Sequence, residues 1–587
     1  LFGIEKFTKL CLIEINKYGI KLNNLWTFRQ EKNEGTIEIL ERKLKIPRSL
    51  ATVLVARGID SIEEAKNFFD PSEDGIHDPY LMDGMDIAVE RILRAVANKE
   101  LVWIHGDYDV DGTSSTSLML QFLREIGGNV EFYIPDRFLE GYGLSIYSMN
   151  RAKELGASVV VSVDVGITSY EPLAHGKEIG LDAIVCDHHE PGDELPDAYA
   201  ILDPLKPNCK YPFKHLAATG VAFKFIQAIA MKIGKPKLAD KYLDYVAVAS
   251  AADMVPLVGE NRILTKLGLE LINSKPRPGL KGLIDCTGMK LGHINTSSIV
   301  YGLAPLINAA GRLGDAKRSV NMMIQEDSID AFRIAQKLER ENIRRRAIDE
   351  QTFEETIPMA DKLVADPNTR ALVLHAPHWH AGVIGIVASR LVDRYHLPTV
   401  LLTSIDHMAK GSARSINSFD VHSALKTCEY LLDEFGGHKH AAGLSLSETK
   451  IPEFREKFNE IAREKLSKNM TQPEIMIDAE LKLNELSPNF LTTLQKFAPF
   501  GYENFKPIFY SKGVTSANGV KVVGSNHLKF RAYQSHFVID AIGYNLGHKI
   551  DVCTAGKPFS IVYNIEESNY NGHNIVQLRI KDLRIEE

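Results

Sequence analysis

From residue 100 onward short apolar runs alternate with helical patterns, and this alternation limits the fold more than any other feature. LVWI (101–104) reads as a buried strand, and TSSTSLMLQFLREIG (113–127) as a helix with Leu118, Phe122, Leu123 and Ile126 at helical spacing. VEFYI (130–134), SVVVSV (158–163) and AIVC (183–186) are further strands, separated by the helical patterns SIYSMNRAKELG and EPLAHGKEIG. Strands joined by helices of about 10–15 residues pair in parallel through crossovers, so an α/β, doubly wound parallel sheet is expected.

The rest of the chain changes character in steps. Residues 214–325 are mostly helical. Residues 326–364 read as a long connecting helix with Ile329, Phe332, Leu338, Ile343 and Ile348 on its apolar side, interrupted or kinked at Pro358. The run Arg344-Arg345-Arg346 reads as a solvated face. A second α/β segment starts at ALVLHA (371–376), and the last 110 or so residues hold short strand-like runs rich in Tyr, Asn, Val and Ile, as in a small β-barrel. The expected domains are 25–325, a connecting helix over 326–366, 367–468 and 469–587. Residues 1–24 are expected to be an upstream extension, because the first methionine is Met82 and LFGIEKFTKLCLIEINKYGIKLNN lacks the features of a signal peptide.

Composition excludes several classes. The net charge of −7 means that any nucleic-acid surface must be a local basic patch. The six cysteines form no C-x-x-C pair, which argues against a disulfide framework or a zinc site and suits a reducing cytoplasm. No stretch approaches the roughly 18 apolar residues that span a bilayer.

HGDYDVDGTSS (105–115) places three aspartates on alternate positions. An EF-hand would need a bidentate Glu at its twelfth position, which is Leu118 here, and a helix before it, where a strand stands. The stretch is instead a strand-to-helix turn at the carboxyl edge of the sheet, where such folds bind ligands. Two more strands end alike: VVVSVDVGIT puts Asp164 past a valine run, and AIVCDHHE does the same with Asp187, His188, His189 and Glu190. Asp253, in VAVASAADMVPL, follows an almost wholly small and apolar helix. Singly these have plainer readings, as helix caps or solvated histidines. Together, so many carboxylates and imidazoles on one edge require a compensating cation, and the mixed donor set suits manganese, or magnesium less selectively.

HGDYDVDGTSS, VDVGIT, DHHE and AADMVPL resemble the four motifs of the DHH phosphoesterase superfamily. The likeness runs from about Leu25 to the end, through IPDRFLEGYGLS, INAAGRLGDA, HWHAGVIGIVASRL, GSARSI and GGHKHAAG, and is closest to the superfamily's bacterial single-strand-specific 5′→3′ DNA exonucleases. The resemblance implies two divalent metal ions, Mn2+ preferred or Mg2+. His105, Asp109 and Asp164 would hold one, and Asp111, Asp164, His188 and Asp253 the other. Asp107 and Asp187 would orient ligands, and His189 would sit near the scissile phosphate. The two ions would activate a water and neutralise charge on phosphorus and leaving oxygen, with no covalent nucleophile.

By the same resemblance Arg137, Asn308 and Arg312 contact DNA phosphates, the last two as a polar pair amid small residues that lets backbone approach a phosphate. Ser412 and Arg414, with Gly437 and His438, belong to a DHH-associated domain that would cap the cleft and capture the 5′-terminal phosphate. Such end capture explains exonuclease action, because a site that needs a terminal phosphate at a set distance from the metals engages a chain interior poorly. Trp379 and His380 stay unassigned between base contact and core. The last domain resembles an OB-fold, a single-strand binder, with Lys521, Lys529, Phe530, Arg531 and Tyr533 as contacts. One departure is PFGYENFKP, where Glu503 and Phe505 replace the glycine and proline of the family's pattern, which puts the shape of that loop in question.

The expected function is 5′→3′ hydrolysis of single-stranded DNA in recombination and repair, by a monomer in the bacterial cytoplasm, supplied by single-strand binding protein and a helicase. The alternative is a DHH phosphodiesterase on small nucleotides or oligoribonucleotides, on which the connecting helix and β-domain would have no evident job. A catalytically dead DNA-binding relative is a third reading, and the intact motif aspartates speak against it.

Overall fold

The computed structural model describes residues 15–16, 19–20, 24–29, 33–136, 140–570 and 573–586. Most of the expected upstream extension, and Arg137, lie outside them. The chain forms two compact units. One comprises residues 32–343 and 485–506, and the other takes up 344–484, 507–587 and the N-terminal strand.

The first unit is built on five parallel strands: β1 (Leu101–His105), β2 (Asn129–Tyr133), β3 (Ala157–Val163), β4 (Asp182–Cys186) and β5 (Ala200–Leu202). Their order is β2-β1-β3-β4-β5. Val159, Val160, Val161 and Val163 are all buried, as expected of a strand covered on both faces. Helix α1 (Val110–Glu125) crosses from β1 to β2. Helices α2 (Ala218–Lys232) and α3 (Leu243–Ala252) are apolar all round and lie in the core, each bringing one end to the carboxyl edge. Helix α4 (Ala304–Leu313) closes the site on the side of the β1–α1 turn.

Two segments join units that their place in the chain does not suggest. Residues 485–506, read as part of the C-terminal domain, pack with the first unit. Arg262 there donates to the carbonyls of Phe497 and Lys496, at 2.9 and 3.0 Å. Leu25–Phe28, read with the catalytic domain, pairs in parallel with Glu474–Ile477 of the second unit. A strand's own residues do not name its partner.

The helix Ser328–Val364 runs unbroken past Pro358. Its buried stripe is not the expected one. Ile329 and Ile343 are 65% and 60% exposed, whereas Ala335, Leu338, Asn342, Arg345, Asp349 and Thr352 are buried. Polar residues hold buried places here because they pair: Arg345 reaches Asp349 at 3.6 Å, and Arg390 donates to Asp349 at 3.2 Å. Arg345 is therefore not part of a solvated face.

The second unit carries a mixed sheet of β6 (Leu372–His375), β7 (Thr399–Ile405), β8 (Met408–Arg414), β9 (Glu434–His438) and β10 (Ala441–Ser447), ordered β9-β10-β8-β7-β6, with helix α5 (Ile384–Tyr395) packed on it. It also carries a barrel of Phe509–Val523, His527–Gln534, Phe537–Gly543, Phe559–Tyr570 and His573–Ile585, closed by pairing of its first and fourth strands. Phe537–Gly543 is a strand that the sequence reading did not pick out.

Candidate metal centre and phosphate cradle

Asp109 is the N-cap of α1, its carboxylate accepting from the Gly112 N–H at 3.0 Å. Gly112 is needed for contact rather than for backbone freedom: a Cβ there would meet the Asp107 backbone at 2.6 Å. The tight turn points three alternate aspartates along the carboxyl edge. Asp111 is buried, and its two oxygens accept from the backbone N–H groups of Ala218 (2.7 Å) and Thr219 (2.8 Å), and from the Thr219 hydroxyl (2.5 Å). The start of α2 thus orients this carboxylate, a role the sequence reading missed. The sequence shows a run of small residues there, LAATG, with no visible link to Asp111.

Asp164 follows β3 with φ of +65°, an unusual conformation for an aspartate. Its N–H donates to the Cys186 carbonyl at 3.0 Å, and its carbonyl accepts from the Tyr142 hydroxyl at 3.0 Å. These bonds hold the strained residue in place, and Tyr142 too was missed. His188 Nε2 lies 3.3 Å from Asp164, 3.8 Å from Asp253 and 3.9 Å from Asp111. Asp187 is buried and accepts from the N–H groups of Ile167 and His188, at 3.0 and 2.8 Å, and from His189 Nδ1 at 2.7 Å.

Among the described residues, ligand atoms gather within 4.8 Å of one another in three sets: Asp164, His188 and His189; Asp111, His188 and Asp253; and Asp107, Asp109 and Asp164. Asp164 lies in sets with both His188 and Asp109, as a carboxylate that bridges two ions does, whereas the one lone pair of His188 serves a single ion. His105 is in none of them; its Nε2 faces the Gly143 carbonyl at 3.3 Å. Asp107, expected to act behind the ligands, has a carboxylate oxygen within 4.8 Å of those of Asp109 and Asp164.

Electrostatics show that these groups suit a cation. Burial pushes the Asp164 carboxyl well above its ordinary range, and Asp111, Asp109, Asp107 and Asp253 push it further. Burial, with Asp111 and Asp109, raises Asp253 to about 8. Burial raises Asp111 as well, against the pull of His188. Burial lowers both His188 and His105, the latter to about 4, so each stays neutral and able to donate a lone pair. His189 behaves oppositely: burial disfavours its charge, but the hydrogen bond to Asp187 and the charges of Asp187, Asp253 and Asp111 together outweigh this and hold it near 9. Asp203, at 0% exposure, is raised to about 7 by burial, with Asp187 adding to it.

The chain matches the DHH family N-terminal domain over residues 101–250, the DHHA1 domain over 368–464 and the RecJ OB domain over 477–582. It is 37% identical over 563 residues to the single-stranded-DNA-specific exonuclease RecJ of Bacillus subtilis, covering 95% of this chain and 70% of that one. The chain belongs to the RecJ family. The Escherichia coli RecJ is 32% identical, with 93% of this chain and 97% of that one covered. The crystal structure of Thermus thermophilus RecJ in complex with Mn2+ superposes with a TM-score of 0.82 at 27% identity, over 96% of this chain and 80% of that one. An exonuclease RecJ bound to manganese gives 0.57 at 33% identity, over 65% and 94%.

In the DHHA1 domain, register places the expected phosphate contacts of this RecJ family member in two adjacent rows on one sheet face. Ser412 pairs with Gly443, which pairs with Gly436; Arg414 pairs with Ala441, which pairs with His438. Arg414 donates to the Ser412 hydroxyl at 2.9 Å. Neither Gly443 nor Gly436 has an atom within 4 Å of where a Cβ would stand, so the polar groups border an open, side-chain-free floor. A Cβ on Gly385, in the first turn of α5, would lie 2.8 Å from both Ser412 Oγ and Arg414 Nη2. Gly437 pairs with Ala442 at the alternate position, and its φ of +138° lets the chain pass close to the Ala441 carbonyl.

The other expected contacts are placed as follows. Asn308 and Arg312 lie one turn apart on α4, where Gly311 admits the Tyr108 carbonyl, 2.8 Å from a Cβ position. The close approach there is between two protein backbones. Trp379 is a core anchor, buried and donating to Glu355 at 2.9 Å. Phe530 is also core, packed on Phe559, whereas Arg531 is 60% exposed and 3.7 Å from Asp540.

Proposed function

We propose that this chain hydrolyses single-stranded DNA from its 5′ end, using two divalent metal ions, one held by His105, Asp109 and Asp164 and the other by Asp111, Asp164, His188 and Asp253, with Asp107 and Asp187 orienting the ligands. The observation that carries this reading is the place of Asp164 in donor sets with both Asp109 and His188 at one sheet edge. It is supported by relatives named single-stranded-DNA-specific exonuclease and by the RecJ structures in complex with Mn2+ and with Mg2+. Manganese matches the mixed imidazole and carboxylate donors best. When bound, such ions supply Lewis acidity and a water of lowered pKa.

The residues do the rest. The start of α2 holds the Asp111 carboxylate, and Tyr142 and Cys186 hold the main chain of Asp164, so both groups are positioned before the reaction begins. Asp187 keeps His189 protonated at neutral pH, and the imidazolium near the scissile phosphate supplies a proton to the departing oxygen. Ser412, Arg414 and His438 take the terminal phosphate on the glycine floor, beside the N-terminal turn of α5. For the shortened strand to be captured again it must carry a 5′-phosphate. Water therefore adds at phosphorus, the P–O3′ bond breaks, and the 3′ oxygen leaves as a hydroxyl. We further read the protein as a monomer in a bacterial cytoplasm, working on strands opened by a helicase and covered by single-strand binding protein.

The test uses 3′-labelled, 5′-phosphorylated single strands with Mn2+, Mg2+ or chelator, beside duplex and an Asp164→Ala control. A metal-dependent ladder of shrinking fragments, absent on duplex and with the variant, is expected. An inert long strand with rapid hydrolysis of dinucleotides would replace this reading with the small-substrate one.

A further inference from the structure

Tyr301 is 77% exposed, more than any other large hydrophobic residue among those described. It lies in a five-residue π-helical turn, Ile299–Leu303, that runs directly into α4. The turn has a local cause. Pro305 has no N–H to give the Tyr301 carbonyl, and the ladder shifts so that the Ala304 N–H reaches Ile299 instead.

From Tyr301 the part-accessible residues of this helix are Pro305, Asn308, Arg312 and the terminal Leu313, and up to Arg312 they are spaced by four, three and four, while Leu303, Leu306, Ile307 and Ala310 are buried. The first three form one stripe with Tyr301. Its inner end stands at the metal centre, because Gly311 packs on the backbone of Tyr108 between Asp107 and Asp109. Its outer end is the Tyr301 ring, eleven residues and so about 16 Å further along the helix.

We propose that Tyr301 is a stacking residue for an unpaired base of the DNA strand several nucleotides from the scissile bond, with Asn308 and Arg312 holding the phosphates between. This rests on the reading of the site as one that acts on single-stranded DNA. The chemistry of the stripe selects that occupant: an arginine and an amide suit a phosphate backbone, and an open aromatic face suits a base plane. Only an unpaired base can lie on the ring. The contact therefore favours single strands over duplex by geometry, without reading sequence.

The experiment measures binding of 5′-phosphorylated 12-mers, each with one abasic nucleotide at a different position, in an Asp164→Ala background that cannot cut. A weakening on the order of tenfold is expected at one position, from the usual strength of a base–aromatic stack. Adding Tyr301→Ala should produce the same loss on the intact strand and remove the sensitivity at that position, while Tyr301→Phe should restore both. In parallel, Tyr301→Trp should show an indole signal quenched by single strands and not by duplex, relative to the same protein with Tyr301. A flat abasic profile, a profile unchanged by Tyr301→Ala, or an unquenched indole would overturn the proposal. The unsubstituted protein's nuclease assay is read separately: if it fails to cut single strands, the functional reading fails, and if it cuts while Tyr301→Ala binds like the parent, only the stacking inference does.

Discussion

Asp187 accepts a 2.7 Å hydrogen bond from Nδ1 of His189, two residues further along the same turn, while its own backbone N–H donates to the Leu202 carbonyl of the next strand. The sheet edge thus holds a carboxylate that sets the charge of the neighbouring imidazole. His189, raised to about 9, contributes stability in full below about 6.5, and this is lost as pH rises through about 9. Asp187, lowered to about 2, contributes in full above about 3.9, and this is lost as pH falls through about 2. Asp187→Asn should lower the unfolding free energy by about 2 kcal/mol at pH 6 and by less at pH 9.5. The alkaline limb of its pH–rate profile should move toward neutrality. Thermal melts and kcat at the same pH values check both.

The raised carboxylates predict a metal linkage of definite sign. Asp253 sits at about 8, and Asp164 and Asp111 are raised too. In metal-free protein their stabilising contribution is full below about 3.9 and fades as pH rises through the folded values, because each must then ionise among like charges. Chelated protein should therefore lose melting temperature between pH 5 and pH 9. At one fixed concentration, manganese should restore more of it at pH 8 than at pH 5, a hundredfold excess over Kd stabilising by about 2.7 kcal/mol. Calorimetry with chelator and with Mn2+ reads this directly; equal shifts at both pH values would contradict it.

Thr219→Val removes the hydroxyl that donates to Asp111 at 2.5 Å and leaves the backbone bonds in place. Residues that orient metal ligands typically matter by about 10–100-fold in metal affinity or activity. The variant should show that loss at low Mn2+ and recover most activity at high Mn2+. Activity that ignores metal concentration would point to a packing defect.

Gly112→Ala places a Cβ 2.6 Å from the Asp107 backbone. Overpacking of this kind costs about 1–3 kcal/mol. Activity should fall further than stability does, because the turn that must shift carries Asp107, Asp109 and Asp111. Circular dichroism and turnover, measured on one preparation, separate the two effects.

Arg414→Ala should abolish the preference for 5′-phosphorylated over 5′-hydroxyl strands. Competition between the two labelled substrates gives the ratio, which is expected to approach one. A preserved ratio would remove the glycine-floored cradle from end recognition.

What the sequence determined by itself is what depends on neighbours in the chain. Strand and helix periods gave the parallel sheet, and a polar residue at the end of each apolar run marked Asp109, Asp164, Asp187 and His188 as candidates. Tertiary structure decided what depends on distant partners. The burial of Arg345 and Asp349 follows from ion pairs that no helical period encodes. The pairing of Leu25 with Glu474, the hold of Thr219 on Asp111 and that of Tyr142 on Asp164 each join residues 22 to 449 positions apart. Tyr301 reads in the sequence as one more apolar residue before a proline, and only the folded helix shows its ring standing in solvent on the same stripe as Arg312. The physical reason is the same in each case: local backbone preference acts within a few residues, whereas burial and hydrogen-bond pairing are properties of the closed chain.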